Sequence, residues 1–315
     1  MKELFETPIL YLMFNRPDLV KQTFPQIKAQ QPKQLFVAAD GPRVGNDDDV
    51  LKCEECRTWV MAQIDWECEV QTLFREKNLG CGLAVGGAIS WFFGQVEMGV
   101  ILEDDVFVKE NFFDFTERLL WLYKDSKEVH HIGGINFIPR NKMKEDYYFS
   151  SIVHVWGWAT WRNSWALYDY ELIQKLSSEE IDLILLNLDF GKEERSFWNI
   201  IFKRLKDDEI DTWDYRWFLS LWKNSGLSIV PKENLVLNIG DGDDSTHTKT
   251  LPQHKMNSSW YMSEKIQTIP LKRSGNFDKE LFLKVLNPKS TLLDRIRNMK
   301  SKFFHKVKGN LNLSQ

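Results

Sequence analysis

The sequence predicts an α/β fold, a Rossmann-like open sheet of mainly parallel strands with helices on both faces. Short apolar runs alternate with longer segments of helical periodicity through residues 1–125, and such alternation is typical of a parallel sheet. The runs are continuous, as in strands that are buried on both faces. Polar clusters follow these runs, and ligands of open α/β sheets bind beyond the carboxyl ends of the strands.

The first half contains four strand–helix units. The predicted strands cover residues 7–14, 33–40, 68–76 and 98–105. The predicted helices cover residues 16–30, 46–64, 79–95 and 109–125. Pro17 stands near the start of the first helix, and Asn46 is a suitable N-cap for the second. Strand–helix–strand units connect parallel strands by right-handed crossovers, so this order predicts one continuous sheet.

The second half has a less regular pattern. Strands are predicted at residues 129–137 and 147–158, a strand pair at 227–240, and a loop at 241–250. Helices are predicted at residues 159–170, 178–189, 192–207 and 212–226. We expect one domain over residues 1–250, made of the halves 1–125 and 126–250, and a helical C-terminal extension over residues 251–315.

Charge and cysteine usage exclude several classes of protein. The 41 basic and 45 acidic residues give a net charge of −4, so the whole chain is not a basic nucleic-acid binder. No apolar run has the length of a membrane span or of a signal-peptide core, which predicts a cytoplasmic protein. Cys53 and Cys56 form a CxxC pair, but Cys68 and Cys81 are too far apart to complete a zinc site. Buried thiols are the favoured interpretation, and a zinc or redox site is the alternative.

Three consecutive carboxylates, Glu103, Asp104 and Asp105, end the fourth predicted strand in "VILEDDVFVKENFF". Adjacent carboxylates repel one another, and covering them with protein removes their hydration. A hard divalent cation, Mg²⁺ or Mn²⁺, would neutralise them, because it prefers oxygen ligands and binds through one or two carboxylates plus phosphate oxygens. The alternative is an ordinary solvated turn.

This acidic motif resembles the metal-binding motif of the GT-A nucleotide-sugar glycosyltransferases. The likeness is greatest to Golgi N-acetylglucosaminyltransferase I and to similar bacterial transferases of envelope polysaccharide and lipopolysaccharide synthesis. Further matching stretches occur in the family's order over residues 7–250, namely "FNRPD", "AADGPR", "NLGCG", "VWGWATWRNSW", "TWDYRWFLSLW" and "NIGDGDDSTHT". The resemblance implies a GT-A fold, with a nucleotide-binding first half and an irregular acceptor-binding second half.

The resemblance also implies an activity and a donor site. The expected reaction is inverting transfer of a hexosyl or N-acetylhexosaminyl group from a nucleoside-diphosphate sugar, a UDP-sugar, to a hydroxyl of a saccharide or glycolipid acceptor. The family pattern assigns Asp105 to the Mn²⁺ or Mg²⁺ ion, Asp104 to the ribose and Glu103 to the ribose or donor sugar. The other residues implied to bind the nucleotide-sugar are Asn15, Arg16, Asp40, Arg75 and Asn78.

An inverting transferase needs one general base beside the acceptor hydroxyl. The family carries its base in a Trp-Asp-Asp-Trp stretch, which corresponds here to residues 213–217, Trp-Asp-Tyr-Arg-Trp. The match makes Asp214 the expected base and Asp211 the substitute. This sequence departs from the pattern at Tyr215, which replaces the second acid and is followed by one extra residue. The alternative role of Asp214 is a helix N-terminal residue that is favoured by the helix dipole.

Two further predictions concern the metal and the acceptor. The resemblance implies that a C-terminal loop closes over the donor, where His247 would complete the metal site; a mobile solvated loop is the alternative. It also places Trp156 and Trp158 on the acceptor side, because indole rings stack on the apolar faces of sugars. Trp161 and Trp165 have helical i, i+4 spacing and are predicted to lie in the core.

The C-terminal residues 295–308 have the pattern of a basic amphipathic helix. Apolar side chains can share one face, while the opposite face is rich in lysine and arginine. Such a helix binds anionic membrane surfaces, so we expect peripheral contact with the cytoplasmic face of a membrane that presents a lipid-linked acceptor. A disordered basic tail is the alternative.

Two other functions compete with glycosyl transfer. A sugar-phosphate nucleotidylyltransferase would need a glycine-rich basic loop after the first strand, and "FNRPDL" has no glycine. A catalytically inactive sugar-binding or scaffold protein would not need the acids that stand in both "LEDD" and "WDYRW". A nucleic-acid partner is not expected.

Overall fold

The computed structural model describes residues 5–138, 143–240, 256–257, 259–265 and 267–287. The first half contains β1 (Ile9–Met13), α1 (Pro17–Gln30), β2 (Gln34–Ala39), α2 (Asp47–Gln63), β3 (Glu69–Phe74), α3 (Gly80–Phe93), β4 (Met98–Glu103), β5 (Val106–Val108) and α4 (Glu110–Leu122). The next elements are β6 (Val129–Gly133), β7 (Tyr147–Ser150), β8 (Trp158–Trp161), α5 (Arg162–Trp165), α6 (Leu172–Lys175), α7 (Ser178–Asn187) and α8 (Lys192–Lys206). The last are α9 (Asp214–Lys223), β9 (Leu227–Pro231), β10 (Val236–Asn238) and α10 (Gly275–Leu281), which continues into a π-helical turn at Phe282–Leu286.

The central sheet has eight strands in the order β3-β2-β1-β4-β8-β6-β9-β7. Strands β1 to β4 run parallel to one another, and β6 runs parallel to β9. Strand β8 is antiparallel to both of its neighbours, and β7 is an antiparallel edge strand. The predicted open, mainly parallel, Rossmann-like α/β sheet is therefore confirmed.

Helices cover both faces of this sheet, as the continuous apolar strands require. Leu10 lies opposite Phe36 in the β1–β2 ladder, and Tyr11 lies opposite the next residue of β2. Phe36 packs against Phe92 of α3, whereas Tyr11 packs against Phe24 of α1. Because neighbouring strand residues point to opposite faces, α1 and α3 lie on opposite sides of the sheet.

The predicted helix at residues 159–170 is wrong in its first part. Residues 158–161 instead form β8, which hydrogen-bonds to β4 on one side and β6 on the other. Helical structure begins only at Arg162. The spacing of Trp161 and Trp165 fits a strand that runs directly into a helix as well as it fits a helix. Both tryptophans are buried, which confirms their predicted place in the core.

Two predictions in the second half, the strand at residues 147–158 and the strand pair at residues 227–240, are only partly correct. Residues 147–158 form a strand only over β7 and again at the first residue of β8. Strands β9 and β10 both exist within residues 227–240, but they do not pair with each other. Strand β10 instead pairs antiparallel with β5, in a separate two-stranded sheet.

This small sheet holds the acidic turn in place. Asp104 and Asp105 form the turn between β4 and β5. The backbone N–H of Ile239, which follows β10, donates to the carbonyl of Asp105 at 2.8 Å. The acids of the turn are therefore fixed by the main sheet on one side and by the β5–β10 pair on the other.

The described part of residues 251–287 packs on the rest of the chain. The Asn111 side-chain amide donates to the carbonyls of Asn257 and Trp260. Helix α10 lies beside the edge strand β7, where Asp278 accepts from Ser150. The predicted tail helix at residues 295–308 and its membrane contact lie outside the described residues. Within the part of the chain that is described, no helix is both long and apolar enough to cross a membrane.

Candidate active site

The acidic turn lies at the carboxyl end of β4, in the middle of the sheet. Glu103 is the last residue of β4, and Asp104 is buried with only 2% of its side chain exposed. Asp105 is nearer the surface, with 16% of its side chain exposed. Gly240 passes directly over it, since an added Cβ there would come within 2.8 Å of Asp105 Oδ2. The two aspartates of the turn thus differ in burial, and the division of roles among the three acids stays a prediction.

Arg16 supplies the positive charge that this acidic turn needs. It stands just before α1, and its Nη1 donates to Asp105 Oδ2 at 3.0 Å. Its Nη2 donates to Asp104, whose other carboxylate oxygen accepts from the Phe14 N–H at 3.2 Å. Burial lowers the pKa of Arg16, but the charges of Asp104 and Asp105 outweigh burial and raise it. Arg16 therefore remains a cation at any ordinary pH.

The same environment affects Glu103 in the opposite way. Burial and the charges of Asp105 and Asp104 raise its pKa well above the ordinary value of 4.5. Arg16 lowers the pKa of Glu103, and Asp214 contributes to raising it. An acid in such a position holds its proton more tightly than a solvated glutamate.

Asp214 lies close to these acids, although it is more than 100 residues away in the sequence. It is the first residue of α9, and its Oδ1 accepts from Thr212 Oγ1 at 2.5 Å and from the Tyr215 N–H at 2.7 Å. The pKa of the Cys81 thiol is raised, first by enclosure of its sulfur and then by the charges of Glu103 and Asp214. Part of the Cys81 residue is nevertheless exposed. The two acidic motifs that were singled out from the sequence therefore meet at one place.

Asp211 has a different environment from Asp214. Its Oδ1 accepts from the Gly82 N–H at 3.0 Å, in the first turn of α3. A Cβ at Gly80 or Gly82 would come within 2.4 Å of the Asp211 carboxylate, so these glycines allow the close approach. Gly80 also has a φ of +78°, which L side chains rarely adopt. Asp211 thus caps α3, and Asp214 is left as the better candidate for a base.

Asp40, at the end of β2, caps the same helix from the other side. Its carboxylate accepts from the backbone N–H groups of Leu79 at 3.0 Å and Gly80 at 3.2 Å. The Asn78 side-chain amide donates to Asp40 at 2.9 Å and to the Gly41 carbonyl at 3.0 Å. Asp40 and Asn78 therefore hold the loops together here, and their contact with a nucleotide stays a prediction.

Asn15 links the loop after β1 to the start of α2. Its amide donates to Asp49 Oδ1 at 2.7 Å, and Asp49 also accepts two hydrogen bonds from the guanidinium of Arg43. Those bonds from Arg43, and the one from Asn15, hold the pKa of Asp49 well below its usual range. Neither Arg43 nor Asp49 was predicted from the sequence as a site residue. Arg43 ends the polar cluster "ADGPR" after the second strand, and this position was the available sequence signal for it.

Arg75 lies where β3 leads towards α3. An added Cβ on Gly87 would come 3.1 Å from its Nη2, so the guanidinium lies along α3. Burial lowers the pKa of Arg75, and the charge of Asp40 only partly opposes this effect. Among the described residues, no carboxylate forms an ion pair with it. Arg75 is thus a cation without a described counterion, near the predicted nucleotide site.

The two predicted acceptor-side tryptophans differ in exposure. Trp156 is partly buried and packs against Phe137 at a ring distance of 5.5 Å. Trp158 is fully buried, between His131 at 4.9 Å and Trp213 at 5.5 Å. The indole of Trp158 has no face open to a substrate, so its predicted acceptor contact needs correction. It instead supports Trp213, the neighbour of Asp214.

The predicted metal site is only partly represented in the described residues. His247 lies outside them, and within them no group of three or more His, Cys, Asp or Glu side chains is arranged to hold a metal ion. Asp104 is occupied by Arg16 and Phe14, whereas Asp105 is partly exposed. This donor set fits a cation that binds through one carboxylate and takes its other ligands from phosphate and water, as Mg²⁺ does.

A large cavity lies elsewhere on the molecule. It has a volume of about 1430 Å³ and runs along the edge strand β7, where Tyr148, Arg273 and Phe277 help to line it. None of the site residues predicted from the sequence lines this cavity. The converging acids, and not the size of this cavity, therefore locate the candidate active site.

Comparisons with known proteins give only distant similarities. No protein-family model and no curated protein matches the sequence. Among solved structures, the chain is similar to S. aureus TarS 1–349, with a TM-score of 0.39 and 10% identity over 73% of this chain and 59% of that chain. It is also similar to a mannosyltransferase from Pyrobaculum calidifontis in complex with GDP-Man and Mn²⁺, with a TM-score of 0.38 and 11% identity over 71% and 70%.

A third similar structure is the inositol-1-phosphate CTP transferase of T. maritima, with a TM-score of 0.32 and 11% identity over 54% of this chain and 81% of that chain. Likeness at these scores carries no argument about function. The fold is argued from the strand order of this chain, and the function from the residues that meet at the acidic turn.

Proposed function

We propose that this protein is an inverting, metal-assisted glycosyltransferase of GT-A fold. It would move a sugar from a nucleoside-diphosphate sugar, preferably a UDP-sugar, to a hydroxyl of a saccharide or glycolipid acceptor. The observation that carries the proposal is that Asp214 lies near enough to the buried Glu103, at the carboxyl end of β4, for its charge to raise the pKa of that acid. Asp105 would then supply the cation-binding carboxylate, and Asp214 the general base, of one active site.

The donor would bind across the ends of β1 to β4. Asp105 would hold Mn²⁺ or Mg²⁺ together with the diphosphate, and the metal would stabilise the charge of the leaving nucleoside diphosphate. Arg75 would bind phosphate, and its lack of a described counterion supports this role. The remaining proposed donor-binding residues are Asn15, Arg16, Asp40, Asn78, Glu103 and Asp104.

Asp214 would act as the general base of a single displacement. The acceptor oxygen would form a bond to the anomeric carbon as its proton passes to the Asp214 carboxylate. The bond between the anomeric carbon and the phosphate oxygen breaks, and its electron pair leaves with the nucleoside diphosphate. Attack from the face opposite the leaving group inverts the configuration. Asp214 suits this role because the N-terminus of α9 favours its ionised form.

The first experiment tests donor binding. UDP, GDP and CMP are each added with and without Mn²⁺, and the shift in thermal unfolding temperature is measured. We expect a nucleoside diphosphate with Mn²⁺ to stabilise the protein more than either component does alone. Failure of every nucleoside diphosphate to stabilise the protein in the presence of metal would contradict the proposal. CTP and UTP are added in the same series, and stabilisation by either of them but by no nucleoside diphosphate would instead favour a nucleotidylyltransferase.

The second experiment tests the base. We expect Asp214→Asn to lower the rate of sugar transfer by about 10²-fold or more, the usual contribution of general-base catalysis, while nucleotide binding is unchanged. Sugar transfer is followed by release of the nucleoside diphosphate in the presence of acceptor. Asp207→Asn, which alters an exposed acid that pairs with Lys203, is the matched control. Unchanged turnover in Asp214→Asn would exclude it as the base.

A further inference from the structure

Arg16 occupies the position where the sequence predicted a bound cation. Its guanidinium bridges Asp104 and Asp105, so one protein side chain offsets part of the negative charge of two acids of the predicted metal motif. Its side chain is 29% exposed, and that of Asp104 is 2% exposed. The acidic turn therefore has one counterion that is part of the chain.

This arrangement weakens metal binding in the absence of a nucleotide. A divalent cation at Asp105 would lie next to the guanidinium of Arg16, and like charges at such a distance repel strongly in a partly buried site. Moving Arg16 away would leave Asp104 buried without its counterion, which is costly. Either route opposes the binding of a metal ion that arrives alone.

A nucleoside diphosphate removes this conflict. Its phosphate oxygens bring negative charge that attracts both the metal ion and Arg16. The metal can then share Asp105 with the diphosphate, while Arg16 keeps its hydrogen bond to Asp104. Metal and nucleotide would thus bind together much better than either binds alone.

We propose that Arg16 is a positioning residue that substitutes for the metal in the empty enzyme and makes metal binding depend on the nucleotide. This inference rests on the proposed function and deepens it. By linkage, the factor by which the nucleotide tightens Mn²⁺ binding equals the factor by which Mn²⁺ tightens nucleotide binding. Arg16 sets the size of that factor.

The test is the affinity for Mn²⁺ in the absence of nucleotide, measured from the electron paramagnetic resonance signal of free Mn²⁺. We expect Arg16→Gln to bind Mn²⁺ at least about tenfold more tightly than the wild type, because one nearby positive charge is gone. Lys21→Gln, which removes an exposed cation of α1 that pairs with Glu55, should leave the affinity unchanged. Arg16→Lys keeps the positive charge and should remain close to the wild type.

The same titration is repeated with saturating UDP, GDP or CMP. In the wild type a nucleoside diphosphate should tighten Mn²⁺ binding by at least about tenfold, within the usual range of coupling between sites. In Arg16→Gln the nucleotide should tighten Mn²⁺ binding by a smaller factor, because this variant already binds Mn²⁺ well without a nucleotide. Thermal unfolding of each variant verifies folding, and Arg16→Met provides a second uncharged side chain if the glutamine variant does not fold.

The outcomes separate this inference from the proposed function. Equal or weaker binding of Mn²⁺ alone by uncharged Arg16 variants would overturn the role of Arg16, even if sugar transfer is demonstrated. If no nucleotide tightens Mn²⁺ binding by the wild type, the proposed function fails. The comparison with Mn²⁺ alone still decides whether Arg16 opposes the metal.

Discussion

At the scale of single residues, the acids of the β4–β5 turn are held under electrostatic stress. Glu103 shows this most clearly, because burial and two neighbouring aspartates raise its pKa well above 4.5. The folded protein then binds the Glu103 proton more tightly than the unfolded chain does. Stability from this group is complete at pH values below 4.5 and decreases as the pH rises from there to the raised pKa.

Glu103→Gln should therefore stabilise the protein without ligands at neutral pH. We expect the free energy of unfolding at pH 7.5 to rise by roughly 1 kcal/mol or more, the equivalent of about one pKa unit. The gain should disappear near pH 4, where the glutamate itself is protonated in both states. Urea denaturation at both pH values measures it, with exposed Glu67→Gln as the control. An equal effect at both pH values would contradict this account of Glu103.

At the scale of elements, the start of α3 connects the two halves of the candidate site. Two carboxylates from distant parts of the chain, Asp40 and Asp211, accept from backbone N–H groups of its first turn or the residue before it. Of these two, the Asp211 contact ties the loop that precedes α9 to α3, and Asp214 follows in that loop's sequence. A helix N-terminus that could have bound phosphate is therefore occupied by the protein's own acids.

Gly82→Ala tests this connection. The added Cβ would come 2.4 Å from Asp211 Oδ1, so the cap must move, and loss of such a cap costs about 1–2 kcal/mol of stability. Sugar transfer should decrease as well, because Asp214 would shift with its loop. Gly87→Ala, in the same helix, meets only the flexible end of Arg75. It should be neutral or stabilising by up to about 1 kcal/mol.

Chemical denaturation and transfer assays compare the two alanine variants. A destabilisation of the same size in both would mean that Asp211 adds nothing to the cap. Normal transfer by a destabilised Gly82→Ala would mean that the cap does not position Asp214.

At the scale of the whole molecule, the C-terminal residues 267–287 belong to the folded body. Asp278 is buried, and it accepts from Ser150 Oγ at 2.5 Å and from the Ser151 N–H at 3.1 Å. It also pairs with Arg273, which donates to the carbonyl of Leu188. These contacts join α10 to the edge strand β7 and to the end of α7.

Asp278→Asn should loosen this side of the molecule. Removing one charge of a buried pair leaves the other uncompensated, which costs about 3–5 kcal/mol. We expect a lower free energy of unfolding and faster amide hydrogen exchange in β7. Lys279→Gln, on the exposed side of the same helix, is the control. If the amides of β7 exchange as slowly in Asp278→Asn as in the wild type, residues 267–287 contribute little to the fold.

Several features of the fold were predictable because they are local. Strands β1 to β4 are apolar runs between polar clusters, and their order along the chain implies parallel pairing. Strand β8 was predicted as a helix because its pairing partners, β4 and β6, are distant in sequence. Trp158 was placed near the acceptor because its depth in the sheet depends on those same partners.

The sequence by itself determined strands β1 to β4, the acidic turn and the acid at the start of α9, since each is encoded in a few neighbouring residues. Only the tertiary structure decided which charges meet. Arg16 was expected to bind the nucleotide-sugar, and the fold also pairs it with two acids of the turn, 88 and 89 residues away. The reason is physical, because a partly buried carboxylate pairs with whichever cation the fold brings within hydrogen-bonding distance. A local sequence pattern does not predict which distant residues come that close.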